Sequence, residues 1–340
     1  MDKHFIKKLA IRHFKCFDDF SVDGFQQVNL ITGRNNVGKT ALMEACFLLS
    51  NLEILLKNKK INRDILYFEL TKLLLSIQQN REKQDFSIKW IKEESAFCFN
   101  DFIIEANNLI QLSLNDSYLT PEDRKHKNHN YWNHGEFDIN AFRNTKEYNK
   151  FYIKNTLPIF SNYDFVSTCD NSKKLHNLIG DLKINNQIGD VQKILNNLFD
   201  FDKIDIIKDD IMLQKCDNYF VKLTELGDGI KHLIHTLVAL FSNKNKIIYI
   251  DEIENGIHHS KLDELWNMIL TTSKKLNIQV FATTHSRECI ESYVRVTKKL
   301  NEKEVALIRL NKRKDDSIFA SVFDFKTLQD AIDQEHEVRG

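Results

Sequence analysis

Two kinds of hydrophobic pattern follow one another along the chain, one typical of strands and one typical of helices. Short, almost wholly apolar runs predict strands buried on both faces, whereas apolar residues three and four positions apart predict helices with one buried face. Strands are predicted at 5–11, 28–32, 204–207, 219–223, 246–250 and 277–284, and two edge strands at 305–310 and 318–323. Helices are predicted at 41–76, 175–199, 232–241 and 260–275, and from 290 onward. The alternation predicts an α/β fold, and we expect 204–207 and 219–223 to return to its main sheet.

The middle of the chain has a different pattern. Apolar and polar residues alternate in four segments, which predicts an antiparallel meander; the segments are 86–91, 97–99, 102–104 and 109–114. Residues 115–150 are rich in His, Asn and Lys and predict a long surface loop. A metal site formed by His126, His129 and His134 is the alternative, but no ligand geometry supports it.

A chain of 340 residues, of which 42% are hydrophobic, is long enough for one large α/β domain with an inserted lobe. The change of pattern places an inserted, mainly helical lobe with some strands at residues 51–204. The two halves of the α/β domain would then be residues 1–50 and 205–340.

The most informative segment is a Gly-x-x-x-x-Gly-Lys-Thr loop that follows the strand at 28–32 and precedes a helical segment. A strand, a glycine-bounded loop and a helix start are the context in which this pattern binds a phosphate chain. Gly33 can take the sharp turn, and Asn35 and Asn36 tolerate left-handed backbone. Lys39 is expected to reach the outer phosphates and Thr40 to offer its hydroxyl to Mg²⁺. The predicted nucleotide-binding residues are Gly33, Arg34, Asn35, Asn36, Val37, Gly38, Lys39, Thr40 and Ala41.

Two later strands end in residues that suit nucleotide hydrolysis. The strand at 246–250 is followed directly by two carboxylates. Asp251 is expected to lie on or near the metal, and Glu252 to accept a proton from the attacking water. The strand at 277–284 is followed by His285, which we expect to hydrogen-bond the γ-phosphate or the water.

A fourth segment, Leu226-Gly227-Asp228-Gly229, directly precedes an apolar helix. Its glycines would let backbone N–H groups approach a phosphate at the start of that helix. The simpler alternative is a turn and helix cap.

Taken in order, the four segments resemble the ABC ATPases of the SMC, RecF and OLD type, and especially the OLD-like "AAA family" ATPases of bacterial antiphage operons. Residues 33–40 resemble Walker A, 247–252 resemble Walker B, 226–229 resemble a degenerate signature loop, and His285 resembles the switch histidine. Residues 251–258 are similar to the OLD-like Asp-Glu-Pro-Glu-x-x-Leu-His run. The resemblance covers both halves of the α/β domain, and implies an ABC-type P-loop ATPase head with a mixed sheet flanked by helices.

The resemblance also implies that two heads meet head to tail. Each ATP, with its Mg²⁺, would lie between one Walker A loop and the partner's signature loop, so that ATP closes the dimer and hydrolysis opens it. This sequence departs from the family at two signature positions: Gly227 replaces the usual serine, and Asp228 replaces one of the usual glycines. We therefore expect slow turnover and the behaviour of a switch. The glutamine that couples the lobe to the metal remains open among Gln78, Gln79 and Gln84.

Composition limits the partners and the compartment. Lys and Arg together number 48, as do Asp and Glu, so a broadly basic DNA-binding surface is not indicated, although a local patch remains an alternative. The six cysteines are scattered without a Cys-x-x-Cys pair, which favours reduced thiols in a cytoplasmic protein. No apolar run approaches the ~18 residues that a membrane span needs, so we expect a soluble protein without a membrane partner.

Two functions remain after this reasoning. The first is an ATP-dependent switch or scaffold that controls a separately encoded effector from the same operon, such as a nuclease or toxin, in antiphage defence. OLD proteins carry a Toprim nuclease beyond the ATPase, and no acidic nuclease cluster follows the head in this sequence, so the effector is expected on another chain. The second is a RecF- or SMC-like DNA-repair clamp. A transporter subunit is disfavoured because the usual Ser-Gly-Gly signature is absent.

Overall fold

Fifteen strands and seven α-helices are assigned in the computed structural model, which describes residues 5–47, 86–91, 109–114, 132–133, 136–137, 164–166, 172–208, 210–215, 219–242 and 247–328. The strands are β1 Lys8–Phe14, β2 Phe17–Asp23, β3 Val28–Gly33, β4 Phe86–Ile91, β5 Leu109–Leu114, β6 Trp132–Asn133, β7 Glu136–Phe137, β8 Asp164–Val166, β9 Phe201–Ile207, β10 Asp210–Lys215, β11 Phe220–Lys222, β12 Ile247–Ile250, β13 Gln279–Thr283, β14 Val305–Lys312 and β15 Ile318–Asp324. The helices are α1, described over 39–47, α2 Ser172–Ile184, α3 Ile188–Phe199, α4 Asp228–Ser242, α5 Leu262–Leu276, α6 Arg287–Leu300 and α7, described over 325–328.

A six-stranded mixed sheet is the centre of the described fold, with the order β15-β14-β3-β13-β12-β8. Every pair in it is parallel except β14 with β15, which is antiparallel. All residues of β3, β12 and β13 are buried, as expected for parallel strands that are covered by helices on both faces. The carboxyl ends of β3, β13 and β12 therefore meet at one edge of the sheet.

The two faces of this sheet are covered by different helices. Ile248 and Ile250 of β12 belong to the large hydrophobic cluster that includes α4, α5 and α6. Tyr249, between them in sequence, points to the opposite face, where it stacks on Phe281 with ring centroids 5.6 Å apart. Phe47 of α1 meets Tyr249 edge to face at 5.8 Å, so α1 covers this second face. The helix that follows the phosphate loop thus packs directly on β12.

Two predictions about sheet position are wrong. The strands predicted at 204–207 and 219–223 do not return to the main sheet, because β9 and β11 pair with β10 in a separate antiparallel sheet. Burial alternates along β10, which is typical of an antiparallel sheet with only one covered face. The strand predicted as an edge at 305–310 is interior: β14 pairs in parallel with β3, and its residues 305–308 are all buried.

Other differences concern boundaries. The first strand, β1, begins at Lys8 and runs to Phe14. The hydrophobic pattern did not reveal β2 and β10, which pair with the predicted strands β1 and β9. Helix α6 begins at Arg287, three residues earlier than predicted, because the Ser286 hydroxyl accepts the Cys289 N–H at 3.1 Å and caps the helix. The strands predicted at 86–91 and 109–114 are present as β4 and β5, and they pair antiparallel directly with each other.

Parts of the predicted lobe contact the α/β head. β4 extends the sheet of β1 and β2, β8 pairs with β12, α2 packs on α4, and α3 packs on β9. The lobe boundaries at 50 and 204 stay a prediction. Several sequence predictions lie outside the described residues. They concern the strands at 97–99 and 102–104, the helix beyond 47, and the residues His126, His129, His134, Gln78, Gln79 and Gln84. None of the helices in the described ranges combines the length and apolar character that crossing a bilayer requires.

Candidate functional site

The loop between β3 and α1 has the backbone that its sequence predicts. Gly33 has φ +144°, and a Cβ there would lie 2.7 Å from the Leu310 carbonyl oxygen. Asn36 has φ +60° and Gly38 has φ +103°, so the chain turns through three residues in the left-handed half of backbone space. Helix α1 begins at Lys39, which directs the free N–H groups of its first turn toward the loop.

Lys39 lies back over this loop. Its Nζ donates hydrogen bonds to the Gly33 carbonyl at 2.9 Å and to the Arg34 carbonyl at 3.1 Å. Burial lowers the pKa of the Lys39 ammonium from its ordinary value, and the negative charges of Asp251, Glu252 and Glu254 oppose that shift. The ammonium is therefore held at the centre of the loop, within electrostatic range of the acidic turn that follows β12.

Thr40 and Asp251 meet although 211 positions separate them in the chain. The Thr40 hydroxyl lies 3.2 Å from Oδ2 and 3.4 Å from Oδ1 of Asp251. β13 lies between β3 and β12, so the contact spans the width of one intervening strand.

These two side chains have the chemistry of a Mg²⁺ site. Oxygen ligands at the Mg²⁺ distance of about 2.1 Å are about 3 Å apart when they are neighbours in an octahedron, which matches the separation of Thr40 and Asp251. In the described residues no group of three or more His, Cys, Asp or Glu side chains forms a metal cluster. A site with one carboxylate and one hydroxyl fits Mg²⁺ bound to a nucleotide, because Mg²⁺ then takes its other ligands from phosphate and water.

Glu252 has an unusual backbone conformation, with φ +48° and an exposed side chain. Its N–H donates to Oγ1 of Thr283, the last residue of β13, at 2.8 Å. The same Thr283 hydroxyl donates to Oδ1 of Asp251 at 2.5 Å. Thr283 was missed at the level of sequence because a threonine in a buried strand has no local signal of a polar role.

His285 lies against Glu254, a residue that sequence reasoning did not include in the site. The Nδ1 atom of His285 is 3.3 Å from Oε1 of Glu254. The same oxygen accepts the backbone N–H groups of His285 at 3.1 Å and Ser286 at 3.2 Å. The Glu254 side chain is only 10% exposed, whereas that of His285 is 52% exposed. Glu254 thus joins the turn after β12 to the turn after β13 and leaves the imidazole accessible to solvent.

The predicted signature loop precedes and begins α4. Leu226 is half-buried, and Gly227 and Asp228 are exposed. The Asp228 carboxylate forms an ion pair with Lys231 on its own helix at 3.1 Å. Gly229 is buried against Gly256, because a Cβ on Gly229 would lie only 1.8 Å from the Gly256 carbonyl oxygen. The loop is therefore fixed at Gly229 to the turn that carries Glu252 and Glu254, and it is open at Gly227.

The site combines a strand, a phosphate loop and a helix start, and Thr40 lies against a carboxylate at the end of a second parallel strand. This arrangement defines a P-loop ATPase head. The chain belongs to the family described as "AAA domain, putative AbiEii toxin, Type IV TA system", whose model matches residues 79–291. That match includes Asp251, Glu252 and His285 and begins after the phosphate loop.

Two individual proteins are similar to this chain in sequence. An "ATP/GTP phosphatase" of Helicobacter pylori (strain ATCC 700392 / 26695) is 28% identical, with 84% of this chain and 86% of that protein covered. An uncharacterized protein of Methanocaldococcus jannaschii is 37% identical over 68 residues, 19% of this chain and 58% of that protein.

A solved structure shows the fold. A crystal structure of an SMC head bound to the C-winged helix domain of ScpA aligns over 95% of this chain and 99% of that one, with a TM-score of 0.50 and 13% identity. The predicted head with a mixed sheet flanked by helices is therefore confirmed as the fold, and the family match identifies the chain as an AAA-domain protein.

The contact between Gly229 and Gly256 predicts a strong effect of one methyl group. Gly229→Ala should lower the free energy of unfolding by about 1–3 kcal/mol, because the added Cβ overpacks against backbone that cannot move independently. Gly227→Ala is the matched control, since a Cβ there meets no heavy atom of the described residues within 4 Å. Urea denaturation of both variants measures the difference, and equal stability of the two would contradict the close packing.

His232 on α4 predicts a dependence of stability on pH. The ring is 8% exposed, and neither ring nitrogen has a hydrogen-bond partner in the described part of the chain. Burial lowers the pKa of His232 below its ordinary value of 6.5, although Glu254 and Asp251 oppose the shift. At this residue the unfolded chain therefore binds a proton more readily, so the contribution of His232 to stability is fully present above pH 6.5 and is lost as the pH decreases below it.

Chemical denaturation from pH 8 to pH 5 measures this effect. His232→Leu should flatten the slope below the ordinary histidine pKa, whereas the exposed His259→Leu should keep it. An unchanged slope in His232→Leu would assign the acid sensitivity to other groups.

Proposed function

We propose that this chain binds ATP with Mg²⁺ at the loop 33–40, hydrolyses it slowly, and acts as a switch that closes head to tail with a second copy. The observation that carries the proposal is the contact between Thr40 and Asp251, with Glu252 as the next residue. A hydroxyl at the start of the helix after a phosphate loop, facing a carboxylate at a strand end, is the arrangement that holds a metal-bound triphosphate.

Each residue has a separate role in this proposal. Lys39 and the N–H groups at the start of α1 bind the phosphate chain. Thr40 and Asp251 would hold Mg²⁺, which supplies charge neutralisation for the phosphate oxygens. Glu252, exposed beside Asp251, accepts the proton of the attacking water, and His285 contributes a hydrogen bond at the same edge of the sheet.

Head-to-tail closure is supported by the exposed part of the signature loop. Gly227 and Asp228 are exposed at the start of α4, and no heavy atom of the described residues would obstruct a Cβ on Gly227. The positive end of α4 can therefore face the nucleotide of a second copy. The Asp228 carboxylate carries a negative charge at this position, and its ion pair with Lys231 offsets that charge only partly, which is consistent with slow turnover.

The charge of the chain favours a protein partner over a nucleic acid. The equal numbers of acidic and basic residues offer no broad attraction to DNA, which favours a protein partner over a RecF-like clamp. We propose that the partner is a separately encoded effector in antiphage defence, in keeping with the resemblance to OLD-like ATPases.

Glu252→Gln tests the catalytic assignment. Turnover should fall at least about 100-fold, because the water loses its proton acceptor, while ATP binding persists and the closed dimer accumulates. Phosphate release measures turnover, and size-exclusion chromatography with light scattering measures the dimer. Glu264→Gln is the control, since Glu264 lies exposed on α5 and pairs only with Lys261 among the described residues. A Glu252→Gln dimer no more persistent than wild type would remove Glu252 from the role of general base.

Mixing two inactive variants tests the head-to-tail arrangement. Lys39→Ala removes the phosphate-binding ammonium, and Gly227→Asp places a second carboxylate on the signature loop. If the site is shared between copies, each variant is inactive alone, but their heterodimer contains one intact site. Equal mixing should restore about a quarter of wild-type turnover, because half of the dimers are mixed and each has one of two sites. No recovery on mixing would show that each site lies within one chain.

A further inference from the structure

The hydroxyl of Thr283 has two polar partners that are consecutive in the chain. Oγ1 donates to Oδ1 of Asp251 at 2.5 Å and accepts the N–H of Glu252 at 2.8 Å. The Thr283 carbonyl accepts the N–H of Ile253 at 3.0 Å. Thr283 is 1% exposed, so water cannot replace these contacts. One residue at the end of β13 thus holds three successive residues of the turn after β12.

The direction of these hydrogen bonds is fixed by chemistry. A hydroxyl has one hydrogen to donate, and a backbone N–H cannot accept. The single hydrogen of Thr283 therefore goes to the carboxylate of Asp251, and an oxygen lone pair of Thr283 receives the Glu252 N–H. A serine at this position could make both bonds, whereas a valine of similar shape could make neither.

Both bonds act on groups that need an external restraint. The Asp251 carboxylate could otherwise rotate, but with Oδ1 held by Thr283, Oδ2 is the oxygen nearer to the Thr40 hydroxyl, at 3.2 Å against 3.4 Å. Glu252 has φ +48°, a conformation that residues other than glycine rarely adopt. The bond from its N–H stabilises that conformation, and the conformation sets the direction of its side chain.

We infer that Thr283 is a positioning residue that presents Asp251 to the metal and Glu252 to the attacking water through one hydroxyl. This role rests on the proposed ATPase function and assigns a residue to it that contacts neither nucleotide nor metal. The competing explanation is a buried threonine that only stabilises the end of β13. The two differ in what the loss of the hydroxyl changes: metal-dependent binding and turnover in the first case, and stability alone in the second.

The test compares Thr283→Val, Thr283→Ser and Thr297→Val in the full chain. Thr297 is the matched control because it is buried in α6 and its hydroxyl donates to the Val294 carbonyl at 2.8 Å. Binding of a fluorescent, non-hydrolysable ATP analogue is titrated against Mg²⁺ and repeated in EDTA, and turnover and melting temperature are measured in parallel.

Thr283→Val should raise the Mg²⁺ concentration for half-maximal nucleotide binding about tenfold, as the loss of a carboxylate's outer partner does in metal sites. Its affinity for the analogue in EDTA should stay within about twofold of wild type, because the loop 33–40 is intact, and its turnover should fall about tenfold. Thr283→Ser should stay within about threefold of wild type in every measurement, since it keeps the hydroxyl. Thr297→Val should change only the melting temperature.

The inference is overturned if Thr283→Val and Thr297→Val have the same Mg²⁺ dependence and turnover, or if serine fails to restore what valine loses. A wild-type chain that binds Mg²⁺ and nucleotide together but does not hydrolyse would refute the proposed hydrolysis alone, since the Mg²⁺ titration would still decide the role of Thr283. A wild-type chain without Mg²⁺-dependent nucleotide binding would overturn both.

Discussion

The parallel pairing of β3, β13 and β12 is the constraint on which the site depends. Its register places Thr283 beside Ile31 and Ala282 beside Ile250, so the three strands end together. The phosphate loop leaves β3, the acidic turn leaves β12, and Thr283 ends the strand between them. A shift of one residue in β12 would exchange its two buried faces and turn Tyr249 away from Phe281. The hydrophobic packing of the sheet therefore fixes the positions of the polar groups at its edge.

The parts of the site that the sequence predicts are those determined by local chemistry. The phosphate loop needs glycine and asparagine at its turns, and the structure has positive φ at Gly33, Asn36 and Gly38. The order of strands was not predictable in the same way, because the pattern of a buried strand does not specify its neighbours; β14 therefore proved interior and β9 lay outside the main sheet. Thr283 and Glu254 were missed for a related reason. Their partners lie 31 or 32 positions away in the chain, so only the folded register reveals their roles.

The sequence alone does not determine why the signature loop has a glycine at position 229. The sequence allowed close approach to a phosphate or a simple helix cap, but at Gly229 the structure shows contact with Gly256. Neither position has space for a side chain, so at this point α4 and the turn after β12 meet backbone to backbone. Backbone contacts of this kind have little freedom to adjust, and a displacement of α4 must move Gly256 with it. In this way the exposed Gly227 is mechanically linked to the turn that carries Glu252.

The same turn also contains the groups that balance the charge of the loop. Lys39 is partly desolvated and lies within electrostatic range of Asp251, Glu252 and Glu254, so the ammonium is placed among three acids before a nucleotide binds. A triphosphate brings negative charge toward those acids, and Lys39, which donates two of its three N–H groups to the Gly33 and Arg34 carbonyls, has a third to offer the phosphate. Divalent metal would offset that repulsion, since Asp251 faces Thr40 at the same place. Nucleotide and metal are therefore expected to bind together, and the turn after β12 is the element that responds to both.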